Sequence, residues 1–232
     1  MMLATIEATF LEAAAGFFQQ HELLASVVVV IAETNFAKAL PFAPFLMVAW
    51  FSKMGSVRER VLTTFVSCAL ALIITWCFTS TWIRPRPISP SSGLETTNRV
   101  FMPTFIGNAT YMKWGCFPSD HAAYLTALGL GLLNLRISVG ITCLLVAVVG
   151  NGLARMLVGL HYPSDIVIGI LIGVLAHGAL FRLVRLDRRD VTRSVALLID
   201  KFPILQAGLI LIVVEMSTLF RDLRFLERLL FG

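Results

Sequence analysis

The chain has 232 residues, of which 57% are hydrophobic and only 14% charged, and its mean hydropathy is +0.83. Soluble domains carry nearer a quarter of charged residues, so this composition excludes an ordinary water-soluble globule and makes a bilayer the solvent to reason with. The net charge of +5, from 19 basic and 14 acidic residues, points first to loop charges that set membrane orientation; no nucleic acid is expected as a partner.

In chain order, residues 4–19 place Ile6, Phe10, Leu11, Phe17 and Phe18 at roughly helical spacing, with Glu7 and Glu12 among them. That pattern predicts an amphipathic helix lying at the membrane interface, and the lack of a basic start does not fit a signal peptide. Residues 23–51 are apolar at both ends but interrupted by Glu33, Asn35, Lys38, Pro41 and Pro44. One long kinked helix and two shorter pieces are both open there, and Glu33 and Lys38 would face either a bundle interior or the interface. Apolar runs at about 61–80, 120–135, 137–157 and 164–184 approach the roughly 20 residues a spanning helix needs. A last run, 203–220, starts at Pro203 and carries Glu215, and it either spans or lies along the surface.

The expectation is therefore an all-α, polytopic membrane helical bundle of about five to seven spans. Residues 1–232 form a single domain, with an interfacial helix over 1–20, a core over 55–185 and an additional apolar segment over 203–220. Lys53, Arg58, Arg60, Arg136 and the basic residues after 182 fall in connections on one side, which the positive-inside rule makes cytoplasmic. The loops at 81–119 and 158–163 fall on the other. Cys68, Cys77, Cys116 and Cys143 show no metal or CxxC spacing and read as small packing residues.

Three clusters flank the spans on that second side. They are Arg84-Pro85-Arg86-Pro87, then Pro118-Ser119-Asp120-His121, then Arg155 followed by His161 and Asp165. An arginine fork matches phosphate oxygens and stays charged, so Arg86 and Arg155 could hold one phosphoryl group. Pro118 suits the first turn of a helix whose free N–H groups form an anion site, and Ser119 adds a hydroxyl donor. A neutral histidine can attack phosphorus while a carboxylate holds its other ring nitrogen, which suits His161 and Asp165. His121 could then protonate the leaving oxygen. Any one of these residues alone reads as an anchor or a turn; their gathering at one face favours chemistry. His21 and His177 read as structural.

Together the clusters resemble the three-part signature of the type 2 phosphatidic acid phosphatase superfamily: Lys-x6-Arg-Pro, Pro-Ser-Gly-His and Ser-Arg-x5-His-x3-Asp. The resemblance covers about residues 55–185 and implies a helical bundle with a phosphohistidine at His161, His121 as general acid and Asp165 as its partner. It places Arg86, Ser119 and Arg155 around the phosphate, and implies neither metal nor other cofactor. Three positions depart from it. Thr79 stands at the lysine, Ala154 at the serine and Asp120 at the glycine. Lys113 is a candidate replacement for the lysine, and Arg84 and Asp120 are secondary site residues. The Pro-Ser-Asp-His form is similar to that of bacterial undecaprenyl-pyrophosphate phosphatases. The implied protein is a plasma-membrane phosphatase whose site faces outward and whose partner is a lipid phosphate. Phosphatidic acid, phosphatidylglycerol phosphate and lipid A phosphates are alternative substrates. A phosphotransferase and a non-catalytic lipid transporter are alternative uses of the same pocket.

Overall fold

The computed structural model describes residues 2–34, 38–52, 55–92, 115–186 and 189–217. The regular elements among the described residues are all helices, with no strand among them. The elements are α1 (Met2–Gln19), α2 (Glu22–Glu33), a 3₁₀ turn (Leu40–Phe42) running into α3 (Ala43–Phe51), and α4 (Gly55–Thr81). After a 3₁₀ turn at Pro90–Ser92 come α5 (Asp120–Leu133), α6 (Ile137–Leu157), α7 (Pro163–Leu186), α8 (Arg189–Lys201) and α9 (Pro203–Ser217).

Among the described residues three helices, α4, α6 and α7, are long and apolar enough to cross a bilayer, or four spans if the pair α8–α9, bent by 110°, counts as one. The apolar runs alone suggest five to seven. Part of the difference lies in α5, which has only 14 residues. At about 1.5 Å per residue that is short of a hydrocarbon core. Nearly all of it is buried, packed against α4, α6 and α7, so its apolar character serves the bundle interior. The stretch 23–51 is the other part, and it resolves into two separate helices, α2 and α3.

α5 can be buried so deeply because α7 presents glycines to it. A Cβ at Gly169 would sit 2.5 Å from the Ser119 carbonyl oxygen, and one at Gly173 would sit 2.4 Å from that of Ala123. Both are backbone contacts, so no larger residue fits without moving a helix. This small-xxx-small spacing is the device that lets membrane helices touch. The closure sets a hydrogen bond at the top of the seam, Ser119 N–H to the Asp165 carbonyl at 3.0 Å. At the opposite end Arg60 donates to the Asn134 carbonyl at 2.8 Å, and Arg58 pairs with Asp200 at 2.8 Å. His177 there meets the Asn134 amide at 3.1 Å and stacks on Phe181.

The middle helix is not regular. α6 is α-helical over Ile137–Leu145, widens to a π-helix over Val146–Leu153, and returns to α over Ala154–Leu157. α1 buries Leu11, Ala15 and Phe18 against the bundle and exposes Ile6, Phe10 and Phe17. Of its two acids, Glu12 is exposed but Glu7 points inward and is only 3% exposed.

Candidate active site

The three clusters meet at one end of the bundle, and local backbone rules explain how. α6 ends in a glycine-terminated cap: Gly159 takes φ 75°, its N–H bonds the Met156 carbonyl at 2.9 Å, and the Leu160 N–H bonds the Arg155 carbonyl at 2.9 Å. This is the double closure that a left-handed residue after a helix permits, and only glycine adopts it without a Cβ penalty. It accounts for the spacing between Arg155 and His161: one stays on the last helical turn while the other is swung back beside it. The chain then re-enters a helix at Pro163, whose missing N–H costs nothing at a first helical position. The Arg84–Pro87 segment is clipped onto this turn by Ile88 N–H to the Gly159 carbonyl at 3.0 Å.

His161 is 2% exposed. Its Nδ1 lies 2.9 Å from the Cys116 carbonyl, an acceptor only, so Nδ1 carries the proton and donates it there. Nε2 therefore presents its lone pair, and it is buried with no hydrogen-bond partner among the described residues. An orphaned buried acceptor is costly unless something comes to meet it.

Asp165 is fully buried, and its Oδ2 stands 3.7 Å from His161 Nδ1. That is an electrostatic neighbour, not the direct hydrogen bond expected from the spacing. Its oxygens are engaged elsewhere: Oδ2 accepts the Tyr162 N–H at 2.8 Å and Oδ1 accepts from Arg84 at 2.7 Å. The Cys116 carbonyl has taken over orientation of the ring. Arg84 is correspondingly committed, bonding also Ser164 Oγ at 2.8 Å and Glu7 at 2.8 Å, and lying 3.8 Å over the Tyr162 ring. It supports the carboxylate side of the site.

Ser119 is the N-cap of α5 and wholly buried, its Oγ accepting the Ala122 N–H at 3.4 Å. Pro118 precedes the cap and is outside the first turn. The His121 N–H bonds Asp120 Oδ1 at 2.8 Å, so the helix's own side chains occupy two amides that the sequence reserves for an anion. Asp120 also faces the His121 ring, Oδ1 to Nδ1 at 2.7 Å, and so orients Nε2 away from itself. Asp120 is thus a ring-orienting group for His121.

Arg155 is 3% exposed, donates from NH1 to the Ala32 carbonyl at 3.2 Å, and lies 3.9 Å from Glu33. Its Nε has no hydrogen-bond partner among the described residues. Its charge acts on both imidazole rings. Arg86 donates to the Leu160 carbonyl at 3.0 Å and the Gly115 carbonyl at 3.5 Å, and its charge also reaches His161. A residue less plain from sequence joins them. Lys38 is 8% exposed, donates to the Glu33 carbonyl at 3.0 Å, and acts electrostatically on His121. Thr79 bonds the Thr75 carbonyl at 2.9 Å and the Phe117 carbonyl at 3.3 Å, and Ala154 packs among Val29, Ala32 and Ile88. Lys113 lies outside the described residues.

The arrangement offers a buried imidazole that presents the lone pair of Nε2, a second oriented imidazole, and guanidinium groups whose charge reaches the rings. Among the described residues no cluster of three His, Cys, Asp or Glu side chains is arranged to hold a metal ion. Comparison with known proteins agrees with the geometry. The family model described as the PAP2 superfamily matches residues 60–189. The chain is 26% identical over 164 residues, 69% of its own length and 77% of the other's, to a protein of Bacillus subtilis (strain 168) named undecaprenyl-diphosphatase BcrC. No solved structure matches.

Proposed function

The chain belongs to the PAP2 superfamily, whose members are phosphatases, and from that premise we propose that it is a membrane phosphatase hydrolysing a polyprenyl pyrophosphate through a phosphohistidine at His161. The observation that carries this reading is the buried Nε2 of His161, without a hydrogen-bond partner among the described residues, with Nδ1–H held by the Cys116 carbonyl and the charge of Arg155 reaching the ring. The similarity to a protein named undecaprenyl-diphosphatase supports undecaprenyl pyrophosphate as the substrate.

The reaction follows from these groups. Nε2 of His161 attacks the terminal phosphorus, a P–N bond forms, and the bridging P–O bond breaks. His121, doubly protonated with its Nδ1–H held by Asp120, gives its Nε2 proton to the departing polyprenyl phosphate oxygen. Water then attacks the phosphohistidine, His121 takes the water's proton, the P–N bond breaks, and phosphate leaves with His161 restored. Arg155 and Arg86 stabilise charge on the equatorial oxygens, where preorganised donors in a dry site are worth most. Arg58, Arg60 and Arg136 lie at the other end of the bundle, which favours a site on the extracytoplasmic face of a bacterial plasma membrane. The test is phosphate release by purified protein across undecaprenyl pyrophosphate, phosphatidic acid and phosphatidylglycerol phosphate. Release from the first at the highest kcat/KM supports the reading, and release from none of them sinks it.

The pH profile is a further check. Burial pushes the His161 imidazole below its ordinary value of 6.5; Asp165 opposes the shift, while Arg155 and Arg86 reinforce it. A nucleophile must be unprotonated, so a lowered value extends the active form toward acid. The acid limb of kcat/KM, which reports the free enzyme, is expected below pH 6.5. A limb above that value, once ionisation of the substrate is subtracted, would contradict a buried neutral nucleophile.

A further inference from the structure

We infer that Glu7, carried by the N-terminal helix α1, is a positioning residue of this active site. The inference rests on the phosphatase reading above. Glu7 is 3% exposed, although it belongs to a helix whose other acid, Glu12, faces outward. One carboxylate oxygen accepts the Ser164 N–H at 2.9 Å, in the first turn of α7, and the other accepts from Arg84 at 2.8 Å. Arg84 in turn bonds Asp165 at 2.7 Å, and Asp165 stands 3.7 Å behind the His161 ring. Glu7 is thus the far end of a line of alternating charges that finishes at the nucleophile. A second contact comes from the same helix: Leu11 packs with Cys116 and Tyr162. Those two residues supply the carbonyl that holds His161 and the N–H that holds Asp165. α1 therefore supports both sides of the ring.

The geometry says what Glu7 does. One guanidinium is divided between two carboxylates, so Asp165 is only partly neutralised and keeps negative charge facing the imidazole. Removing the charge of Glu7 gives Arg84 wholly to Asp165 or lets it turn away. Either change alters the field on His161 in the transition state, while the groups proposed to bind phosphate, Arg86 and Arg155, keep their contacts. The signature is therefore a fall in kcat at little change in KM.

The experiment uses the full chain in detergent, with farnesyl pyrophosphate as probe. Glu7→Gln is expected to lower kcat about tenfold with KM within about twofold of the parent, a loss confined to the chemical step. Glu7→Asp, which keeps the charge on a shorter arm, should recover part of it, and Glu12→Gln should match the parent. Adding Glu7→Gln to Arg84→Ala should cost little more than Arg84→Ala alone, because both act through one contact. Parent-like kcat in Glu7→Gln, a loss appearing only in KM, or fully multiplicative losses in the double variant would overturn the proposal. If Glu7→Gln does not fold, the kcat and KM of Glu7→Asp decide in the same way. A folded parent that releases no phosphate from the probe sinks the phosphatase reading, and this one with it.

Discussion

His161→Ala is expected to release phosphate at least about 10³-fold more slowly than the parent, the scale seen when a covalent nucleophile is removed and binding groups remain. The size follows from having no substitute in place. Asp165 is bonded to Tyr162 and Arg84, and His121 is turned by Asp120, so neither stands where Nε2 does. The variant also strips the Cys116 carbonyl of its donor, which costs roughly 1–3 kcal/mol for a buried group left unsatisfied. Stability and catalysis must therefore be read separately. A variant that stays monodisperse, melts within about 10 °C of the parent and is inactive supports the assignment. One that folds and turns over at the parent rate shows that another group attacks the phosphorus.

The second large effect is expected where no reacting group lies. Gly169→Val would place a branched carbon 2.5 Å from the Ser119 carbonyl oxygen, against backbone that has no rotamer to change. The helices must part, at a cost of about 1–3 kcal/mol for overpacking. For a chain of this size that is several degrees in Tm. Activity should suffer more. The site straddles this seam, with Ser119 and His121 on α5 and Asp165 on α7, and the 3.0 Å bond from Ser119 N–H to the Asp165 carbonyl lies across it. A displacement of about 1 Å between reacting groups can cost about 10²-fold. The expected result is a loss of at least that factor in kcat/KM, with Gly173→Val behaving alike. Gly178→Ala on the same helix is the control, since nothing lies within 4 Å of its added carbon. Full activity in folded Gly169→Val would mean that the seam does not register the site.

How much of this was legible in the sequence depends on where each residue's partner is encoded. Arg155, His161 and Asp165 lie within one helix–turn–helix, so their spacing carries their geometry, and Gly159 is the local reason. The all-helical bundle was legible too, because apolar runs of that length have few other solutions. The partner of His161 Nδ1 was not. A backbone carbonyl, that of Cys116, bears no mark in the one-letter code, and a carboxylate four residues along was the natural candidate. Glu7 was hidden for another reason. It is far from Arg84 in sequence, and a glutamate on an amphipathic helix ordinarily faces water. Lys38 showed as a charge in an apolar surrounding, but only the fold tells which side of α2 it serves. Apolar content does not distinguish a lipid-facing helix from an enclosed one, so α5 looked like a span. The Gly169–Gly173 spacing was present in the letters; what it presses against becomes visible only once α5 is beside it.

The π-helix over Val146–Leu153 bears on how this chain can change in length. A wide turn takes up one residue more than an α turn in the same rise, and each residue of an α-helix advances about 100° around the axis. Arg155 begins two residues beyond it and inherits that offset. Losing one residue from the stretch would let the span rewind smoothly, with its apolar character intact, yet carry Arg155 about a quarter turn around the helix. Adding one elsewhere in α6 would do the same in the opposite sense. Substitutions at its exposed positions, Val148 and Val149, are open to any residue that suits the bilayer. Insertions and deletions are not, because the count of residues in this segment sets the direction in which the Arg155 guanidinium leaves the helix.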